Sequence, residues 1–82
     1  MNLDDIRRSI VAVLCDVAPE IEPAKLDPKA ELRTSLDLDS MDFLNFVIGL
    51  HGSLGVEVPE ADYGKLATVK TAVDYLESRP RA

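Results

Sequence analysis

Tryptophan is absent from this chain, and two Phe and two Tyr are its only aromatic residues. Leu, Ile and Val must therefore supply its core. Cysteine occurs once, at Cys15, and histidine once, at His51. One thiol excludes an intramolecular disulfide framework, and one Cys with one His cannot assemble a zinc cluster. No apolar run approaches the length of a membrane span. Asp4 and Asp5 precede Arg7 and Arg8, unlike a signal peptide, so membrane insertion is not expected and a reducing cytoplasm is. Basic residues are scarce: nine Lys and Arg against fifteen Asp and Glu leave a net charge of −6. Nucleic-acid affinity comes from neutralising phosphates with Lys and Arg, so nucleic acid is not an expected partner. The balance suits basic protein surfaces approached by long-range attraction. No internal repeat or low-complexity tract is present.

Eighty-two residues, 46% of them hydrophobic, fit one small folded domain spanning 1–82, expected to be a monomer. Leu3, Ile6, Ile10, Val13, Leu14 and Val17 follow the three-and-four spacing of a buried helical stripe. Asn2 is the predicted N-cap, Asp5 occupies the capping-box position, and Pro19 closes the segment. Residues 19–39 then form a long connection in which Pro19, Pro23 and Pro28 deny a continuous helix. Its expected apolar pins are Ile21, Leu26, Leu32 and Leu36, with a helical turn near Ala30–Thr34. A second long helix is predicted from Ser40 to about Ser53. Phe43, Phe46, Val47, Leu50 and Leu54 line one side of it; Met41, Leu44 and Ile48 line another. Either the second stripe stays partly exposed as a contact surface or the helix is central and buries both. Gly49, within that helix, suits close helix packing. Gly52 and Gly55 are expected to end it. Pro59 opens a short helix over Glu60–Lys65. Thr68 caps a last helix with Val69, Ala72, Val73 and Leu76 inward, and Pro80 marks its frayed end. The predicted architecture is all-α: a small four-helix bundle of three longer helices and one short helix, with a long first loop.

Catalytic and metal readings fail on spacing. Ser40 and His51, on one helix, stand about 16 Å apart at helical rise, beyond the reach of proton transfer. An EF-hand starting at Asp37 would place Met41 at a ligand position and Ile48 where the bidentate glutamate belongs. No metal site is expected, although Asp37, Asp39 and Asp42 form an acidic loop able to attract Mg²⁺ loosely or meet a basic partner. Nothing near Ser40 can deprotonate it, so an enzyme is not expected. What stands out is Leu36-Asp37-Leu38-Asp39-Ser40-Met41-Asp42, which presents a hydroxyl where a helix begins. Backbone N–H groups and the helix dipole favour a phosphate there. Asp and Ser are also ordinary capping residues.

In combination, the segments resemble acyl carrier proteins, the phosphopantetheine-binding carrier family, over nearly the whole chain. Ala30-Glu31-Leu32, Leu36, Leu38 and Asp39-Ser40-Met41-Asp42 resemble the approach to the carrier serine. Leu54-Gly55-Val56-Glu57-Val58-Pro59-Glu60 resembles the turn into the short helix. Thr68-Val69 with Ala72-Val73-Asp74-Tyr75-Leu76 resembles the closing helix. The resemblance implies that Ser40, flanked by Asp39 and Met41, takes a covalent 4′-phosphopantetheine from coenzyme A, attached by a separate phosphopantetheinyl transferase using Mg²⁺. The arm's thiol would then carry acyl groups as thioesters and raise their effective concentration at docked enzymes. The resemblance implies a freestanding tether serving fatty-acid-like, polyketide or other specialised synthesis. Its further partners would be loading ligases, synthases or transferases. An aminoacyl or peptidyl carrier of nonribosomal peptide assembly, and an interaction module acting unmodified, stand as alternatives. The partner face implied comprises Asp37, Asp42, Leu44, Asn45, Ile48 and His51, with Met41 adjoining. The family's bundle can also shelter an acyl chain between its helices.

Two positions depart from the family pattern. Asp37 stands where glycine is usual, three residues before the serine. Asn45 and His51 stand where the partner-facing helix usually carries glutamate. The second departure favours a specialised pathway over housekeeping fatty-acid synthesis.

Overall fold

The structure, a computed structural model, describes residues 2–78. Helix α1 spans Leu3–Val17, α2 Leu32–Ser35, α3 Ser40–Leu54 and α4 Val69–Ser78; 3₁₀ segments cover Pro23–Lys25 and Glu60–Leu66. The helical bundle expected from sequence is present: three long helices, with Glu60–Leu66 as the short one.

Helix α1 starts where Asn2 accepts the Asp5 N–H at 2.9 Å, satisfying one of the donors that a helix start leaves unpaired. Ile6, Ile10, Val13 and Leu14 are buried. Leu3, expected inward, is 49% exposed. It is the first helical residue, and helical side chains lean toward the N-terminus, so it overhangs the core. Helix α3 packs on α1 through Gly49. A Cβ there would stand 2.5 Å from Val13 Cγ1, so glycine lets the helices approach. Phe43, Phe46, Val47, Leu50 and Leu54 of α3 are buried. The other stripe is not: Met41 is 63%, Leu44 41% and Ile48 59% exposed. Helix α3 therefore buries one face only. It continues through Gly52 to Leu54, one residue beyond the expected end. Gly55 alone caps it, with φ 66° and its N–H on the His51 carbonyl at 2.8 Å.

Helix α4 starts at a reciprocal threonine cap, in which Thr68 Oγ1 accepts the Thr71 N–H at 3.0 Å and Thr71 Oγ1 accepts the Thr68 N–H at 3.2 Å. Its buried set is Val69, Ala72, Tyr75 and Leu76. Val73 is only half-buried, and Tyr75 takes the inner place expected for it. A single tyrosine satisfies both of its ends there. The ring covers the core, and the hydroxyl donates to Asp62 Oδ2 at 2.6 Å, tying α4 to the 3₁₀ segment. Pro80 lies outside the described residues.

The long connection is pinned as expected by Leu32, buried, and by Ile21, Leu26 and Leu36, which pack partly against the core. Leu38 joins the core as a further pin. Two backbone bonds tie the connection to the start of α4: Leu32 N–H to the Ala67 carbonyl at 2.7 Å and Lys70 N–H to the Pro28 carbonyl at 2.9 Å. They hold α2, and with it the entrance to α3, in place.

Candidate functional site at the start of helix α3

The approach to α3 is a helix stop followed directly by a helix start. The α2 turn begins at Leu32, two residues later than the sequence suggests. It ends with Leu38 N–H bonded back to the Arg33 carbonyl at 2.9 Å, across Asp37, whose φ is 55°. That is the Schellman arrangement: a left-handed residue after the cap, then an apolar residue folded back onto the turn. Leu38 is that apolar residue, buried like Leu32. Asp37 occupies the left-handed position that glycine usually fills.

Asp39 then caps α3. Its Oδ1 accepts the Asp42 N–H at 2.8 Å, while Asp42 Oδ2 accepts the Asp39 N–H at 3.3 Å. Both carboxylates are turned back onto the backbone as a capping box. One of the helix N–H groups that sequence reasoning offered to a phosphate is therefore already taken. Ser40 is the first helical residue, and it is exposed. Its Oγ accepts a hydrogen bond from Arg33 Nη2 at 3.2 Å. The guanidinium lies 5.8 Å from the centroid of the Phe43 ring. Sequence reasoning missed Arg33: a single basic residue in a loop carries no periodic or motif signal.

The remaining named residues spread along α3. Met41, Leu44 and Ile48, spaced three and four apart, form one exposed apolar stripe. Asp42, Asn45 and His51 border it, and Asn45 and His51 are exposed. Asp37 precedes α3 and is exposed. His51 lies in the last turn of α3, far from Ser40, as the spacing argument required. Cys15 is partly exposed on α1 with its Sγ 3.9 Å from the Ile21 carbonyl, outside this region. Among the described residues, no group of three His, Cys, Asp or Glu side chains is placed to hold a metal ion. No helix among them is long and apolar enough to cross a membrane.

Two grooves lie along α3, one near its start and one toward its end. One of about 300 Å³ is lined by Arg33, Phe43, Tyr63 and Gly64 among others. The other, about 420 Å³, lies between Val47, Ile48 and His51 of α3 and the Val58–Tyr63 stretch. The Phe43 and Tyr63 rings meet edge to face at 6.0 Å between centroids.

A family model described as a phosphopantetheine attachment site matches residues 8–76. The chain is 35% identical over 63 residues to acyl carrier protein 2, mitochondrial, of Arabidopsis thaliana, a match covering 77% of this chain and 50% of that protein. It therefore spans about half the length of that relative. An acyl carrier protein of Thermosynechococcus vestitus is 29% identical over 82 residues, the full length of both chains. One from Rubrobacter xylanophilus is 29% identical over 76 residues, 93% of each. The residues at the start of α3 fit the group this family takes. The Ser40 hydroxyl is open to solvent, the adjacent carboxylates are folded away into the cap, and a guanidinium stands beside the Ser40 oxygen. The chain belongs to the phosphopantetheine-attachment family as an acyl carrier protein.

Proposed function

We propose that Ser40 is the attachment point of a 4′-phosphopantetheine arm and that the chain acts as a carrier of acyl groups, not as a catalyst. The observation that carries this reading is the exposed Ser40 hydroxyl as first residue of α3, inside the segment matched by the attachment family. In the loading reaction the Ser40 oxygen bonds to phosphorus, and the pyrophosphate bond of coenzyme A breaks. The adenosine bisphosphate half leaves, and the serine proton passes to a base of the transferase. Among the described residues the side-chain partner of Ser40 Oγ is the Arg33 guanidinium, which only donates and cannot serve as that base. Once bound, the arm supplies a thiol that carries the acyl group as a thioester.

Met41, Leu44 and Ile48, bordered by Asp37, Asp42, Asn45 and His51, form the surface on which partner enzymes dock in this reading. Three exposed apolar side chains in a row on one helix support it. The curated relatives are named acyl carrier proteins, which supports acyl cargo over aminoacyl cargo. Asn45 and His51, in place of two acids, support partners of a specialised pathway.

Incubation with a phosphopantetheinyl transferase, Mg²⁺ and coenzyme A, followed by intact mass spectrometry, tests the attachment point. Wild type gains one phosphopantetheine mass and Ser40→Ala gains none. Asp39, not Ser40, is the helix cap, so Ser40→Ala retains its melting transition, with a change within about 0.5 kcal/mol. A mass gain on Ser40→Ala, at Ser35 or Ser53, refutes the assignment.

A further inference from the structure

We propose that Arg33 holds the phosphodiester of the Ser40-linked arm, so that the arm leaves the protein from a fixed ion pair and not from a freely rotating serine ester. This rests on Ser40 being the attachment point.

Three features of Arg33 lead there. First, its Nη2 already points at the oxygen to be esterified, 3.2 Å away. Phosphorus bonds to that same oxygen, so its unesterified oxygens come within a bond or two of the donor's present acceptor. A guanidinium has five N–H donors in a planar fork and can engage two of them. Second, the residue is held at its backbone and at its side-chain tip. The Arg33 carbonyl is anchored by Leu38 N–H at 2.9 Å, and the guanidinium lies over the Phe43 ring. That position needs little further ordering on binding an anion. Third, its charge is uncommitted. Lys25, Lys65 and Lys70 each pair with a carboxylate. Arg33 forms no ion pair among the described residues, although Asp37 and Asp39 precede α3 and Asp42 lies in its first turn. Asp39 and Asp42 are occupied with each other's backbone. A hydroxyl is a weak partner for a guanidinium. A phosphodiester, anionic throughout the working pH range, forms the shorter and stronger charge-assisted bond. Without Arg33 the charged side chains within three residues of Ser40 are the carboxylates of Asp37, Asp39 and Asp42.

The test uses loaded wild type, Arg33→Gln and Arg33→Lys, each confirmed by mass. Phosphorus NMR reads the phosphodiester directly. The wild-type resonance is displaced from that of Arg33→Gln. Raising salt from about 0.05 M to about 1 M, which shortens the screening length severalfold, moves it toward the Arg33→Gln position. The Arg33→Gln resonance responds less, and Arg33→Lys, a point charge without the fork, falls between. The Arg33 Nε–H signal shifts on loading in wild type. Thermal melts of the unloaded variants separate loss of the Phe43 contact from loss of the phosphate contact, because only the latter moves the phosphorus signal. Loaded wild type and Arg33→Gln with the same phosphorus position and salt response overturn the Arg33 assignment alone. Wild type that gains no mass overturns the Ser40 reading, and this inference with it.

Discussion

At Asp37 the backbone takes φ 55°, in the left-handed region that L-residues other than Asn and Asp avoid. The Schellman arrangement that ends α2 requires it, because only that turn lets Leu38 N–H reach the Arg33 carbonyl and Leu38 enter the core. Aspartate tolerates the conformation but does not favour it as glycine does. Asp37→Gly therefore stabilises the fold by about 0.5 kcal/mol, the relief of strain being partly offset by greater freedom of the unfolded chain. Asp37→Val, β-branched at positive φ, destabilises it by about 1–2 kcal/mol. Denaturant melts rank the three as glycine, aspartate, valine. A glycine variant less stable than wild type would mean that the Asp37 carboxylate supports the turn by a contact of its own. The neighbouring residues divide their work in a way that composition conceals. Asp39 and Asp42 look like a negative patch in the sequence, yet each carboxylate bonds the other's backbone. Ser40 looks like a cap, yet its hydroxyl is not used as one because Asp39 caps in its place.

Helix α3 is the element whose two faces differ most plainly, and on the proposed reading they divide stability from docking. Phe46 and Leu50 are fully buried, whereas Leu44 and Ile48 are exposed over roughly half their surface. Phe46→Ala and Leu50→Ala destabilise by about 2–5 kcal/mol through lost burial and a residual cavity. Leu44→Ala and Ile48→Ala cost less stability and lower turnover with partner enzymes. Melts in the reverse order would show that the stripes are misassigned. The two faces were legible because a helix repeats every three to four residues. The same periodicity showed most of the inner faces of α1 and α4, and it set Met41, Leu44 and Ile48 apart as a second stripe. It left open whether that stripe was covered, which the structure answers by exposing all three. Periodicity has no purchase on elements shorter than two turns. The α2 turn at Leu32–Ser35, Leu38 as a core residue and the Arg33–Ser40 bond all depend on where the chain returns after a stop. A helical turn followed by the site of the family glycine, then Leu38, was the one available signal. Tyr75 displaced Val73 for a related reason: a ring reaching from core to Asp62 answers to a partner thirteen residues away, which no local pattern registers.

Taken whole, the molecule presents a net charge of −6 and one exposed apolar stripe on a helix whose other side is core. An acidic carrier approaches basic enzyme surfaces by long-range attraction, and the charges at the rim of the contact set association rate and selectivity more than final affinity. Asn45 and His51 flank the stripe where two carboxylates would strengthen that attraction, so this surface is a weaker match for enzymes selected against glutamate-rich carriers. Coupling to a housekeeping fatty-acid ketosynthase is therefore poor. Asn45→Glu combined with His51→Glu raises kcat/KM by about threefold to tenfold, the range expected for two rim charges, and the gain shrinks as salt is raised. The gain appears chiefly in the association rate, since neither substitution alters the apolar contact made by Leu44 and Ile48. A carboxylate at position 51 opposes the dipole in the last turn of α3, so a melt of the double variant checks that the helix end is intact. Equal turnover of wild type and double variant, with both proteins fully loaded and folded, would show that these two positions do not set partner choice.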